Sequence, residues 1–148
     1  MEKKNTWETY TNEQLREVDL FAKEYMNGKT PNPCIECNKH LKFGKMLEKA
    51  EEESCDFIAT GHYANIVFDQ STGRYLLKKG ADTKKDQSYV LYSLNQVQLA
   101  HSLFPLGEFT KNEAREIAEE NGFINARKKD SQDICFVPGG DYAKVISE

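Results

Sequence analysis

Leu15, Val18, Ala22, Tyr25 and Met26 recur at the three- and four-residue steps of one helix face. Thr11 and Gln14 precede them as a capping box, and Gly28 suits the left-handed residue that stops a helix, so residues 12 to 27 should be helical. The Pro31-Asn32-Pro33 turn then separates this helix from a second amphipathic one at about 39 to 53, with Leu41, Phe43, Met46, Leu47 and Ala50 inward. Phe57-Ile58-Ala59-Thr60 is a short apolar run ending at Gly61-His62, the form of a buried parallel strand. Segments 64 to 68 and 74 to 77 flank Asp69-Gln70-Ser71-Thr72-Gly73 and predict a hairpin. Beyond Lys84-Lys85-Asp86-Gln87 the spacing turns helical through Val90, Leu91, Leu94, Leu99 and Leu103. Thr110 with Glu113 opens a further capped helix that Asn121-Gly122 ends. Residues 134 to 137 read as a strand, and a short helix follows from Asp141.

Helix followed by strand is the α/β rhythm, and in such sheets ligands bind at the carboxyl ends of strands. Gly61-His62 therefore stands where a site is expected. Composition shifts near residue 100, which suggests a boundary: α/β before it, mostly helical with one strand after it. At 148 residues the chain is one ordinary domain or parts of two. With 39% hydrophobic and 30% charged residues it is foldable rather than disordered. A net charge of -4 argues against bulk attraction to nucleic acid. Two local basic clusters remain, Lys78-Lys79 with Lys84-Lys85 and Arg127-Lys128-Lys129, each a phosphate contact or a solvated loop. No apolar run approaches the ~20 residues of a membrane span. Met1-Glu2-Lys3-Lys4-Asn5 leads into no apolar core, so no secretory signal is expected. Four cysteines without such a signal point to a reducing cytoplasmic setting, where they serve catalysis or metal binding more than disulfides.

Two cysteine sites carry the chemistry. Pro31 and Pro33 should hold Cys34-Ile35-Glu36-Cys37 as a defined turn, and Cys135 lies in the apolar run Ile134-Cys135-Phe136. Brought together by folding, they make a reactive pair for sulfur transfer, or ligands for a metal. Cys34 and Cys37 are half of a zinc site that Cys135 and His40 would have to complete, since a second C-x-x-C is absent. A thioredoxin-type site lacks the strand before the motif. Taken alone, Cys135 reads as core and Cys55 as packing. His62 is either a ligand contact or a structural cap, and His40 and His101 are surface or packing residues.

In order along the chain stand Gly28-Lys29-Thr30-Pro31-Asn32-Pro33 through Cys37-Asn38-Lys39, Ala59-Thr60-Gly61-His62-Tyr63-Ala64, and Lys85-Asp86-Gln87-Ser88-Tyr89. Leu103-Phe104-Pro105-Leu106-Gly107 and Lys129-Asp130-Ser131-Gln132 through Cys135-Phe136 follow. This series resembles the bacterial and organellar tRNA-specific 2-thiouridylases, from about residue 13 onward. The resemblance implies the C-terminal half of an adenine nucleotide α-hydrolase-like (Rossmann-like) α/β domain over 1–100. A mostly helical central tRNA-binding domain would begin in 101–148. It also implies ATP-dependent 2-thiolation of the wobble uridine of tRNAs for Lys, Glu and Gln, with ATP and Mg as cofactors. The partners are tRNA and a sulfur-relay protein or cysteine desulfurase. A persulfide on Cys135 attacks the activated carbon, and Cys37 resolves the product as a Cys37–Cys135 disulfide. Asn32, Pro33 and Cys34 line the target-base pocket, Gly61 contacts ATP, and His62, Lys85, Asp86 and Gln87 contact tRNA.

The chain departs from the family pattern in three ways. Cys34 stands where the commoner pattern has an acidic residue, and a thiol cannot act as that acid/base group at neutral pH unless its pKa falls. Cys34, Cys37 and Cys135 also supply three thiolates, the number that holds an iron–sulfur cluster with one open iron. The Ser-Gly-Gly-x-Asp-Ser phosphate loop and the C-terminal β-barrel of the family are absent, so the chain is expected to be an internal fragment that does not turn over alone. The rival expectation is a non-catalytic metal- or tRNA-binding module that uses Cys34, Cys37 and Cys135 structurally.

Overall fold

A computed structural model describes residues 12–128, 134–137 and 141–147. Thr11 and Lys129-Asp130-Ser131-Gln132, both used above, lie outside them. The chain divides into two compact units, one of Met1–Cys37 with Asp130–Glu148 and the other of Asn38–Lys129.

The first unit is built on helix α1, Asn12–Met26. It stops as its sequence requires: Gly28 has φ 76° and its N–H donates to the Tyr25 carbonyl at 2.9 Å. Val18 and Phe21 form a buried cluster with Phe136 and Val137, and Ile134 and Tyr142 pack against it. Phe21 meets Phe136 edge-on at 5.3 Å, and Tyr25 stacks on Tyr142 of α6, Tyr142–Ser147, at 6.3 Å. The strand expected at 134 to 137 is a turn, in which the Val137 N–H donates to the Ile134 carbonyl at 2.9 Å. Apolar neighbours read as a strand, but here both Phe136 and Val137 are buried beside a helix and, among the described residues, pair with no strand.

The Pro-Asn-Pro segment is also a correction. Rather than holding Cys34 to Cys37 in a turn, it starts a helix. Asn32 is the N-cap of α2, Pro33–Glu36, its side-chain oxygen accepting from the Cys34 N–H at 3.1 Å, and Pro33 takes a first-turn position. The chain then winds as a π-helix over Cys37–Lys45 and returns to an α-helix, α3, Met46–Glu52.

In the second unit the wide winding buries Asn38 and Phe43, which are 2% and 1% exposed. β1, Ile58–Ala59, pairs in parallel with β4, Ser102–Leu103. The parallel expectation for β1 thus holds, but its partner comes from a stretch expected to be helical. That stretch breaks into a 3-10 turn at Ser88–Val90, the short helix α4, Gln96–Ala100, and β4. The break is set by Asn95, whose side chain caps Gln98 while Gln98 reaches back to the Asn95 backbone. β2, Ala64–Asp69, and β3, Arg74–Lys79, form the expected hairpin, in register from Ala64 opposite Lys79 to Asp69 opposite Arg74. Gln96 finishes one edge of it, its amide exchanging two hydrogen bonds with the Tyr75 backbone at 2.8 and 3.0 Å. Helix α5, Lys111–Glu120, begins at the Thr110/Glu113 capping box and ends at Asn121 and Gly122, φ 71°.

Candidate functional site

The first unit holds Asn32, Pro33, Cys34, Cys37 and Cys135. α1 packs against α2 and, through Phe21, against the turn that carries Cys135, so one helix backs both cysteine segments. Cys34 and Cys135 are exposed and Cys37 is half-buried, so reagents can reach both sites. None of the four cysteines forms a disulfide. Cys55, expected to be packing, is exposed at the end of α3. Among the described residues no three His, Cys, Asp or Glu side chains converge on a point that would hold a metal ion.

The second unit holds Gly61, His62, Lys85, Asp86 and Gln87. Gly61 is exposed just beyond the carboxyl end of β1, the position that the α/β rule assigns to a ligand. His62 is only 7% exposed. Its ring packs between Phe43 at 5.9 Å and Phe104 at 5.7 Å, and its Nδ1 lies 2.7 Å from the Thr60 hydroxyl. Burial in this aromatic setting, helped by the charge of Lys42, pushes its pKa down to about 4. His62 is a neutral imidazole at physiological pH.

Asp86 and Gln87 do structural work as well. The Asp86 carboxylate accepts from the Gly80 N–H at 2.9 Å and from the Ser88 hydroxyl at 2.8 Å. Burial alone would raise its pKa, but these bonds and the charge of Lys79 hold it below the usual carboxylate value. Gln87 brackets Tyr63: its side chain accepts from the Tyr63 N–H at 3.1 Å and its own N–H donates to the Tyr63 carbonyl at 2.9 Å. Asp82 accepts from the N–H groups of Lys84 and Lys111, both at 3.0 Å. The loop carrying Lys85 is thus pinned to the segment after Gly61, and these residues meet around Tyr63. Sequence reasoning missed Asn38, which follows Cys37 directly and donates across the unit to the Val90 carbonyl at 3.2 Å. An amide beside a C-x-x-C motif was a signal for it, but nothing in the pattern reported its burial.

The profile of the tRNA methyl transferase HUP domain matches residues 1–139. The chain belongs to this family. A HUP domain is a Rossmann-like α/β fold, in keeping with the helices and the parallel β1–β4 pair seen here. The family's relatives include the tRNA-specific 2-thiouridylase MnmA of Clostridioides difficile (strain 630), 55% identical over 131 residues, or 88% of this chain and 36% of that protein. MnmA 2 of Thermoanaerobacter sp. (strain X514) is 55% identical over 129 residues, 87% of this chain and 35% of its own length. MnmA of Moorella thermoacetica is 55% identical over 87% of this chain and 36% of its own. The chain spans about a third of the length of these relatives. Among the described residues no helix is long and apolar enough to cross a membrane.

Proposed function

We propose that this chain carries the sulfur-handling cysteines of an ATP-dependent tRNA uridine 2-sulfurtransferase, acting on the wobble uridine of tRNAs for Lys, Glu and Gln. The observation that carries the reading is the shared support of two accessible cysteine segments by α1, in a chain 55% identical to proteins named tRNA-specific 2-thiouridylases. A persulfide delivered to Cys135 by a desulfurase or relay protein holds a nucleophilic terminal sulfur. That sulfur attacks carbon 2 of the uridine, and the carbon's oxygen departs with the adenylate that ATP supplies. The product is then joined to Cys135 through a disulfide. The Cys37 thiolate attacks the Cys135 sulfur, which forms Cys37–Cys135 and releases the 2-thiouridine, and an external thiol restores both cysteines.

Asn32 and Pro33 fix the start of α2 and, with Cys34, would wall the pocket for an unstacked base. Gly61 would take the adenine nucleotide: it is exposed at a strand end, and a Cβ there would meet only Leu106, at 3.7 Å. Lys85 would bind tRNA phosphate, with Asp86 and Gln87 holding its loop in place for their own tRNA contacts. His62, buried as a neutral ring, would act on tRNA only by holding the Gly61-Tyr63 segment in place. The same reading gives 1–100 to the later part of the nucleotide domain and 101–148 to the start of a helical tRNA-binding domain, in a cytoplasmic enzyme.

The test is to incubate the chain with a cysteine desulfurase and cysteine and to map persulfide by peptide mass spectrometry. Persulfide on Cys135 is expected, with Cys135→Ser keeping its far-UV circular dichroism while losing the added sulfur. A Cys135→Ser chain that unfolds, or that loses a bound metal, would favour the structural module instead.

A further inference from the structure

The hairpin leaves the outer edge of β2 open. The Tyr75 N–H and carbonyl are both bonded to the Gln96 amide, so Tyr75 and Phe68, which face each other in the register, exchange no ladder bonds. Ladder bonds alternate along an antiparallel pair, so Ile66 opposite Leu77 and Ala64 opposite Lys79 are pairs of the same kind. The backbone N–H and carbonyl groups of Ala64, Ile66 and Phe68 therefore point away from β3. Gly107 agrees with this direction, since a Cβ on it would strike the Ala64 carbonyl. Gly107 thus covers the edge at Ala64. Among the described residues nothing bonds to the outward groups of Ile66 and Phe68.

Strands commonly guard such an edge with a lysine, a proline or a bulge. β2, Ala-Asn-Ile-Val-Phe-Asp, carries no lysine or proline and runs in unbroken register. Its single charge, Asp69, is turned towards Ser71 and Thr72 of the loop. The cations Arg74, Lys78 and Lys79 lie on β3, whose own edge Gln96 occupies at Tyr75. Apolar side chains stand in solvent beside the open edge. Val67 is 41% and Phe68 49% exposed, and Leu76, opposite Val67, is 37% exposed.

This edge matches itself. In a second copy turned about a twofold axis through Val67, Ile66 of each copy falls opposite Phe68 of the other. Each such pair exchanges both N–H···O bonds, which satisfies every open group. An axis through Ile66 would set Phe68 against Ala64, where Gly107 covers the edge, and an axis through Phe68 would set Ile66 beyond the end of β2. The side chains agree with the Val67 axis. On one face Leu76 and Val67 of both copies join in a continuous apolar row, and on the other Phe68 meets Ile66. Asp69 of one copy falls opposite Asn65 of the other, with Lys78 and Arg74 at the two ends of that row, so no like charges face each other.

We propose that β2 is a self-association edge, on which a second copy of this chain adds antiparallel to make a four-stranded β3-β2-β2-β3 sheet. An isolated two-stranded hairpin is marginal in water, and pairing removes its unprotected edge. The inference goes beyond the sulfur-transfer reading and does not depend on it.

Sedimentation equilibrium of the whole chain under reducing conditions tests it. The average mass should rise with concentration from one chain towards two. Val67→Lys should weaken the dimer by roughly tenfold or more, because it sets like charges directly opposite each other and removes two apolar contacts. Phe68→Pro should do the same by removing the outward N–H, a substitution that an edge strand accepts without losing a ladder bond. Ile124→Lys, at a fully exposed apolar side chain elsewhere, should leave the dimer unchanged. Circular dichroism of each variant checks that the fold is kept, and a second measurement reads the register directly. Opposite Val67 positions lie about 4.5 Å apart between Cα atoms, within the reach of a disulfide. In a mixture of isotopically labelled and unlabelled Val67→Cys chains, diamide should therefore join two copies through the thiols introduced at position 67, as read by peptide mapping. A chain that stays single at every concentration would overturn the proposal. So would a dimer that Val67→Lys leaves as tight as the parent, or a map with no cross-link at position 67.

Discussion

His62 sets a pH dependence that belongs to one side chain. Its pKa in the folded chain is about 4, against 6.5 for an ordinary imidazole, because burial between Phe43 and Phe104 opposes the charged form. Between these values the unfolded chain takes up a proton that the folded chain refuses, so stability falls as pH drops from 6.5 towards 4. The loss should be on the order of 2 kcal/mol after allowance for solvent screening, measured as the urea midpoint against pH. His62→Phe should flatten that slope, and an unchanged slope would mean that the ring is not buried as described. Asp82 and Asp86 do not blur the window, since their depressed carboxylate pKa values confine their contribution to lower pH. Gly107 makes a second single-residue prediction. A Cβ there would collide with the Ala64 carbonyl and the Asn65 amide, so Gly107→Ala should destabilise the chain by about 2–3 kcal/mol in the same assay. At this scale the sequence exposes the reactive chemistry well: Cys34, Cys37 and Cys135 stand out by residue type and spacing. It hides the tasks of Asp86, Gln87 and Asn38, because a polar side chain that satisfies a distant backbone group leaves no periodic trace.

Elements whose boundaries rest on local chemistry were legible. The Thr110/Glu113 box, the Gly28 stop and the 69-to-73 turn each act within a few residues, and each appears as read. Thr110→Ala should cost about 1 kcal/mol of stability, read from the denaturant midpoint, because it leaves an orphan N–H at the start of α5. A variant as stable as the parent would show that the cap is idle. Elements decided by tertiary partners were misread. Leu91, Leu94 and Leu99 are all buried, yet they belong to a turn, a connection and a short helix rather than to one helix. Burial fixes which residues are apolar, and different backbones can meet that demand at similar spacing. Phe136 and Val137 illustrate the same limit, as a turn packed on α1 looks like a strand from its composition alone. The Pro-Asn-Pro segment was recognised as rigid, but its proline was assigned to a turn when it suits the first turn of a helix equally well.

For the whole chain, the α/β character and the family were both readable, because five short motifs recur in order and because helix and strand alternate. The packing of Phe136 and Val137, the neighbours of Cys135, on α1 was not readable. It depends on α1 serving as the common floor for residues more than a hundred positions apart, and periodicity says nothing about such pairings. That floor supports the central proposal, in which Cys37 and Cys135 act as chemical partners rather than as two separate thiols. Mild oxidation of the reduced chain with diamide, followed by peptide mapping of its disulfides, tests it most directly. The account predicts Cys37–Cys135 as the main product, lost in Cys37→Ser, with Cys55 left reduced. A map dominated by Cys34–Cys37, or by disulfides to Cys55, would contradict it.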